Sequence, residues 1–183
     1  LKIAFVGEAG AGKDFITEIL TSDFNFVRVS FSDQLKKLGA KIYPWLKKDY
    51  SPKEKELPLN ITIENGEKIN LSPREIWLNL NCLRKNQNTL FISMLESELK
   101  NLLVEDIVIS DIRTEEEYNW CRKNGFSVIY IKNENSIHEE NSFDDYARSL
   151  ENKCDYIFNN DTYGKDKFFK FFNEVKNDLK DST

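Results

Sequence analysis

Hydrophobic residues in this chain fall into short continuous runs separated by longer amphipathic stretches. The runs are Ile3-Ala4-Phe5-Val6, Phe26 to Phe31, Ile107-Val108-Ile109, Val128-Ile129-Tyr130-Ile131 and Tyr156-Ile157-Phe158. Their length and lack of alternation predict strands buried on both faces, as in a parallel sheet. Between them, apolar positions recur at helical spacing. Phe15, Ile16, Ile19 and Leu20 share one face. Leu35, Leu38, Ile42 and Leu46 share another, on a helix capped by Ser32 or Asp33. Ser72-Pro73-Arg74-Glu75 has a cap, a proline at the first position and Glu at the third, and opens a helix carrying Ile76, Trp77, Leu80 and Leu83. Further helices are predicted over residues 91–103, 115–123, ended by Gly125, and 164–179. Asn65-Gly66 between Ile61–Glu64 and Glu67–Leu71 predicts a tight hairpin. Strands alternating with helices give an α/β fold, a parallel sheet with helices on both faces.

The segment Gly7-Glu8-Ala9-Gly10-Ala11-Gly12-Lys13 follows the first strand and precedes the first helix. It has the phosphate-loop spacing of Gly, four residues, Gly and Lys. Glycines let consecutive backbone N–H groups converge on one anion, the helix start adds positive potential, and Lys13 reaches the outer phosphates of ATP. Gly7, Gly10, Ala11, Gly12 and Lys13 are therefore candidate ATP-binding positions. The next residue is Asp14 rather than the usual hydroxyl residue. It either approaches Mg2+ or caps the helix. Ligands in such folds bind at the carboxyl ends of the strands, which singles out Asp111 and Arg113 beyond Ile109. Asp111 is a candidate for Mg2+ or its waters, or else the cap of the helix near Thr114; Arg113 is a candidate phosphate clamp. Asp33 is a helix cap or a catalytic carboxylate at the acceptor.

Composition narrows the partners. The net charge is −5, with acidic and basic residues interspersed, which argues against a nucleic-acid binder. Cys82, Cys121 and Cys154 are scattered and His138 is the only histidine, so no zinc spacing exists and a reducing, cytoplasmic setting is expected. No apolar run is long enough for a leader or a membrane span, so no membrane partner is expected.

Several segments in order resemble the phage-type deoxynucleoside monophosphate kinases: Gly12-Lys13-Asp14, the stretch FSDQLKKL, SPREIWLNL, IVISDIRTEEEY with KNGFSVIYI behind it, and DYIFNND. The resemblance implies one adenylate-kinase-like P-loop domain over residues 1–183. It would have a small helical substrate region, a variable insertion about 47–71 and a lid about 133–150. It implies transfer of the terminal phosphate of ATP, with Mg2+, to a deoxynucleoside monophosphate, by a monomer or homodimer. Matched to the family, Lys13, Asp14, Asp111 and Arg113 are catalytic, with Asp14 and Asp111 on the metal. Asn160 and Asp161 lie beside the donor adenine, and Arg74 and Arg113 hold the acceptor; Asp33 and Trp77 are acceptor candidates from their own positions after the second strand and in the helix opened by Ser72. His138-Glu139 corresponds to a lid segment. Phe15 departs from the family's Thr, Asn81-Cys82-Leu83 from its Gly-Thr-Glu, and the lid holds one arginine, Arg148.

Other readings stand beside this one. Arg74 either points to the acceptor phosphate or forms a surface pair with a carboxylate. Phe31, Tyr43, Trp45 and Trp77 either hold a base or belong to the core. Glu134 to Asp145 is either a solvated acidic loop or a lid over ATP. GKDFITE and SDIR are also similar to animal-type phosphomevalonate kinases. A nucleotide-binding protein with a degenerate site is the alternative from another class.

Overall fold

A computed structural model describes residues 1–134, 142–161 and 164–181. In chain order the elements begin with β1 (Lys2–Val6), α1 (Lys13–Asp23), β2 (Val27–Val29) and α2 (Phe31–Ile42). A hairpin β3 (Ile61–Thr62) and β4 (Lys68–Ile69) leads to α3 (Pro73–Leu80) and α4 (Leu90–Leu99). Then come β5 (Ile107–Ile109), α5 (Glu115–Lys123), β6 (Ser127–Lys132), α6 (Ser142–Ser149), β7 (Tyr156–Asn159) and α7 (Asp166–Asp181). The chain forms two compact units, Leu1–Ser30 with Leu102–Thr183, and Phe31–Asn101.

The first unit holds a five-stranded sheet in the order β2-β5-β1-β6-β7. Every pair is parallel; Ile3 stands opposite Val108 on one side and Ser127 on the other. The parallel α/β expectation therefore holds. Ile3, Phe5, Val108, Ile129, Ile131 and Phe158 pack one face against Ile16, Ile19 and Leu20 of α1 and Phe168, Phe172 and Val175 of α7. α5 packs against β6. Because every strand runs the same way, residues following β1, β2, β5, β6 and β7 emerge at one edge. Gly7, Ser30, Ser110-Asp111, Asn133 and Asn160 are those residues.

In the second unit α2 packs on α3 and α4. Leu46, Ile76 and Trp77 form its core, with Tyr43, Trp45, Tyr50 and Leu80 against them. Gly39 sits mid-helix because a Cβ there would lie 3.2 Å from both Leu46 and Leu80 side chains. The hairpin turns at Asn65-Gly66 as expected, with Gly66 at φ 85°. The Ser72 box is complete: the Ser72 N–H donates to Glu75 Oε2 at 2.7 Å and the Glu75 N–H to Ser72 Oγ at 3.2 Å.

Three sequence expectations are corrected. α2 starts at Phe31, so Ser32 and Asp33 lie in its first turn and neither is the cap; an aspartate is favoured there by the helix dipole alone. α4 ends at Leu99, where Asn101 Nδ2 donates to the Ser97 carbonyl at 3.0 Å and stops the last turn from extending to Leu103. The end of the acidic segment, residues 142–145, belongs to a helix that runs on to 149, and residues 135–141 of it lie outside the described residues. No helix among the described residues is long and apolar enough to cross a membrane. The three cysteines are free thiols.

Candidate active site

The loop after β1 curls because two of its glycines occupy positions closed to other residues. Gly12, at φ 91°, opens α1, and a Cβ on it would meet Asn160 Nδ2 at 2.1 Å. A Cβ on Gly7 would meet the Ile131 carbonyl oxygen at 2.4 Å. The loop is thus pressed against the ends of β6 and β7. Asn160 fixes it further by donating from Nδ2 to the Ala11 carbonyl at 2.9 Å. Since Gly12 opens the helix without a side-chain cap, Asp14 is not the helix cap; it lies exposed in the first turn.

Lys13 folds back over the loop. Its Nζ donates to the Gly7 and Glu8 carbonyls at 2.6 and 2.7 Å, and it is buried. Burial first, and then the nearby Arg113 guanidinium, push its pKa down from 10.5 to about 8, against the opposing pull of Asp14, Asp144 and Asp111. The depressed value marks a cation held out of water beside another cation, which a polyanion would relieve.

Asp111 is buried at the carboxyl end of the sheet and accepts from Ser30 Oγ at 2.8 Å. Ser30 follows β2, next to β5, so two adjacent strand ends fix one carboxylate. The helix-cap alternative for Asp111 is corrected: α5 is capped by Thr114, whose Oγ1 accepts from the Glu117 N–H at 3.3 Å. Glu117 Oε2 in turn accepts from the Arg113 and Thr114 N–H groups at 2.7 and 3.1 Å. This buried carboxylate therefore pins the backbone of the Asp111-Ile112-Arg113 turn, leaving the Arg113 guanidinium half-exposed.

Sequence reasoning did not find the third carboxylate. Asp144 of α6 is fully buried, and its Oδ1 accepts from the Ala9 N–H at 2.9 Å and lies 4.0 Å from Arg113 Nη1. Arg148, one turn on, pairs with Glu8 at 3.0 Å and with Asp145. The acid-rich first turn and basic last turn of α6 were the available helix signal.

The candidates divide between the two units. Lys13, Asp14, Asp111, Arg113 and Asn160 share the first unit, at the phosphate loop. Asp161 pairs with Lys167 on the surface. In the second unit Asp33 pairs with Lys36 at 3.4 Å, and Arg74 with Glu56 at 2.9 Å, both half-exposed. Arg74 thus makes the surface pair that stood as its alternative. Trp77 is a core residue, with Tyr50 edge-on and no partner for its indole N–H among the described residues. His138-Glu139 lies outside the described residues.

The donor set fits magnesium in one respect. Asp111 and Asp14 offer hard carboxylate oxygens, and no group of three or more metal-binding side chains gathers among the described residues. Magnesium in phosphotransfer sites is held by one or two carboxylates, with substrate phosphates and water completing the shell.

No protein-family model matches the chain, and no curated protein matches it. Solved structures do. A shikimate kinase from Aquifex aeolicus vf5 aligns over 98% of both chains with a TM-score of 0.54 and 13% identity. A dephospho-CoA kinase from Campylobacter jejuni aligns over 99% of this chain and 98% of its own, with a TM-score of 0.51 and 16% identity. At such identities the likeness shows the fold alone, a parallel α/β sheet flanked by helices that this chain shares with both proteins.

Proposed function

We propose that this protein is an ATP-dependent small-molecule kinase whose acceptor is a deoxynucleoside monophosphate. The observation that supports phosphoryl transfer best is the arrangement around Lys13. A buried lysine, a glycine loop with φ 91° at its helix junction, a buried aspartate and an arginine meet at the carboxyl edge of a parallel sheet. The structural neighbours, both kinases by name, agree with it.

In this reading the loop N–H groups and Lys13 hold the donor phosphates. Arg113 lies beside them and neutralises charge on the transferring group, its backbone held by Glu117. Asp111, oriented by Ser30, and Asp14 would hold magnesium, which when bound shields phosphate oxygens from one another. The second ionisation of a phosphate monoester lies near pH 6, so a monophosphate acceptor is already a nucleophile at neutral pH. Positioning then suffices, and no general base is required. The acceptor's identity rests on the order of the resembling segments. Arg74 carries its proposed acceptor role by that resemblance; Asp33 carries its own by its place after the second strand, and Trp77 as an aromatic in the acceptor segment.

An ADP-release assay over the deoxynucleoside monophosphates, with mevalonate 5-phosphate alongside, tests the proposal. We expect turnover with at least one deoxynucleotide, lowered by orders of magnitude in Lys13→Ala. Turnover only with the mevalonate compound would replace the acceptor. ATP binding without turnover on any acceptor would leave a nucleotide-binding protein rather than a kinase.

A further inference from the structure

We propose that Asp144 is a built-in anion that occupies the phosphate cradle and competes with the nucleotide there, so that α6 regulates access to the site. This rests on residues 7–13 being the nucleotide site.

The contacts of Asp144 are those a phosphate oxygen would make. Its carboxylate accepts from a loop N–H, that of Ala9, at 2.9 Å and stands 4.0 Å from Arg113. Loop N–H groups and arginine forks are the usual partners of bound phosphates. The side chain is 1% exposed, so this is a docked carboxylate and not a surface one.

Charge makes the docking consequential. Among the described residues Lys13 and Arg113 stand at the loop as cations, and Arg148 of α6 pairs with its Glu8; Asp14, Asp144 and Asp111 all act on Lys13 as anions. Phosphates arriving beside all three carboxylates would meet repulsion sharpened by burial. Asp14 and Asp111 have a use in a phosphotransfer site, as hard ligands for a divalent cation. Asp144 has no such use while it is spent on Ala9. Withdrawing it frees the Ala9 N–H and leaves Arg113 to the ligand.

The ion pair that ties α6 to the loop is exposed, and the helix is held by apolar burial. Arg148 ties α6 to Glu8 at 3.0 Å, but its side chain is 39% exposed, and exposed pairs contribute little. Ala147 and Leu150 are buried beneath the helix end. An apparent dissociation constant is raised in proportion to the scarcity of the competent state, so a docked state favoured tenfold weakens binding about tenfold.

The opposite possibility is that Asp144 braces Arg113 and the loop for binding. Calorimetry on the full chain separates the two, with ADP and with tripolyphosphate, a phosphate chain without a base. Asp144→Asn keeps an acceptor for the Ala9 N–H and removes the charge. We expect it to bind both probes about five- to twentyfold more tightly than wild type. In a second measurement, amide exchange over residues 142–150 of the wild-type protein should speed up when tripolyphosphate is added. That arm stands even if the variant folds poorly. Equal or weaker binding by a folded Asp144→Asn, or exchange slowed by tripolyphosphate, overturns the proposal and leaves the nucleotide site in place. Absence of binding in wild type, Asp144→Asn and Lys13→Ala alike removes the nucleotide site and the proposal together.

Discussion

Raising the pH through 8 should weaken nucleotide binding, because it removes the proton on Lys13. The pKa of this lysine falls from 10.5 to about 8, chiefly through burial and then through Arg113. That shift corresponds to about 3 kcal/mol acting against the charged form. The sign for stability follows from proton counts. Between pH 8 and 10.5 the unfolded chain holds this proton more often than the folded one, so the Lys13 contribution to stability rises with pH there. Binding moves the other way. Phosphates favour the ammonium, so at high pH a proton must be taken up when they bind. The affinity for ADP, free of any acceptor, should fall about tenfold between pH 7 and pH 9. Fluorescence titration with a labelled ADP over that range reads it directly. Lys13→Arg should lose the alkaline limb, since a guanidinium stays charged throughout, although its overall affinity will be lower. Wild-type affinity that stays flat through pH 9 would refute the claim that a buried, depressed Lys13 meets the phosphates.

Two further outcomes follow from the same geometry. Ser30→Ala removes the hydroxyl that donates to Asp111 at 2.8 Å and should cost about 1 kcal/mol in stability. It should also lower turnover, as Asp111→Asn does more strongly; melting curves beside rates check both, and unchanged rates would make the pair structural only. Gly12→Ala places a Cβ 2.1 Å from Asn160 Nδ2 at φ 91°, so nucleotide affinity should collapse, and Asn160→Ala in the same protein should restore only part of it because the backbone strain remains. Full recovery measured by ADP titration would show that the clash alone closes that position to alanine.

The core of this fold was legible because its signals are local. Ile3–Val6, the glycine loop and the first helix are contiguous, and the Ser72 cap lies three residues from its Glu75 partner. Boundaries failed where a local signal had a competitor. Asp33 read as a cap, and Asp14 as either a cap or a magnesium ligand, because aspartate favours both caps and first turns; the chain starts those helices at Phe31 and after Gly12. The site was half legible. Asp111 and Arg113 were singled out from their place behind a strand, and the structure sets both near Lys13. The groups that orient them were not, because Ser30 is 81 residues from Asp111 and Asp144 is 135 from Ala9. Asn160 was matched to the adenine side by resemblance, and in the structure it holds the loop's Ala11 carbonyl. Arg74 shows the converse: its helix position was right, and its guanidinium is taken up by Glu56, a partner that periodicity does not reveal.

Phosphorus NMR of the reaction itself tests the central claim most directly. ATP, magnesium and one deoxynucleoside monophosphate at a time are mixed with the protein. The γ-phosphorus signal of ATP should give way to equal amounts of ADP and a deoxynucleoside diphosphate for at least one acceptor, and the exchange should vanish in Lys13→Ala. Contradiction would be plain in either of two results: the γ-phosphorus appearing only as inorganic phosphate with every acceptor, or the diphosphate forming as fast in Lys13→Ala as in wild type.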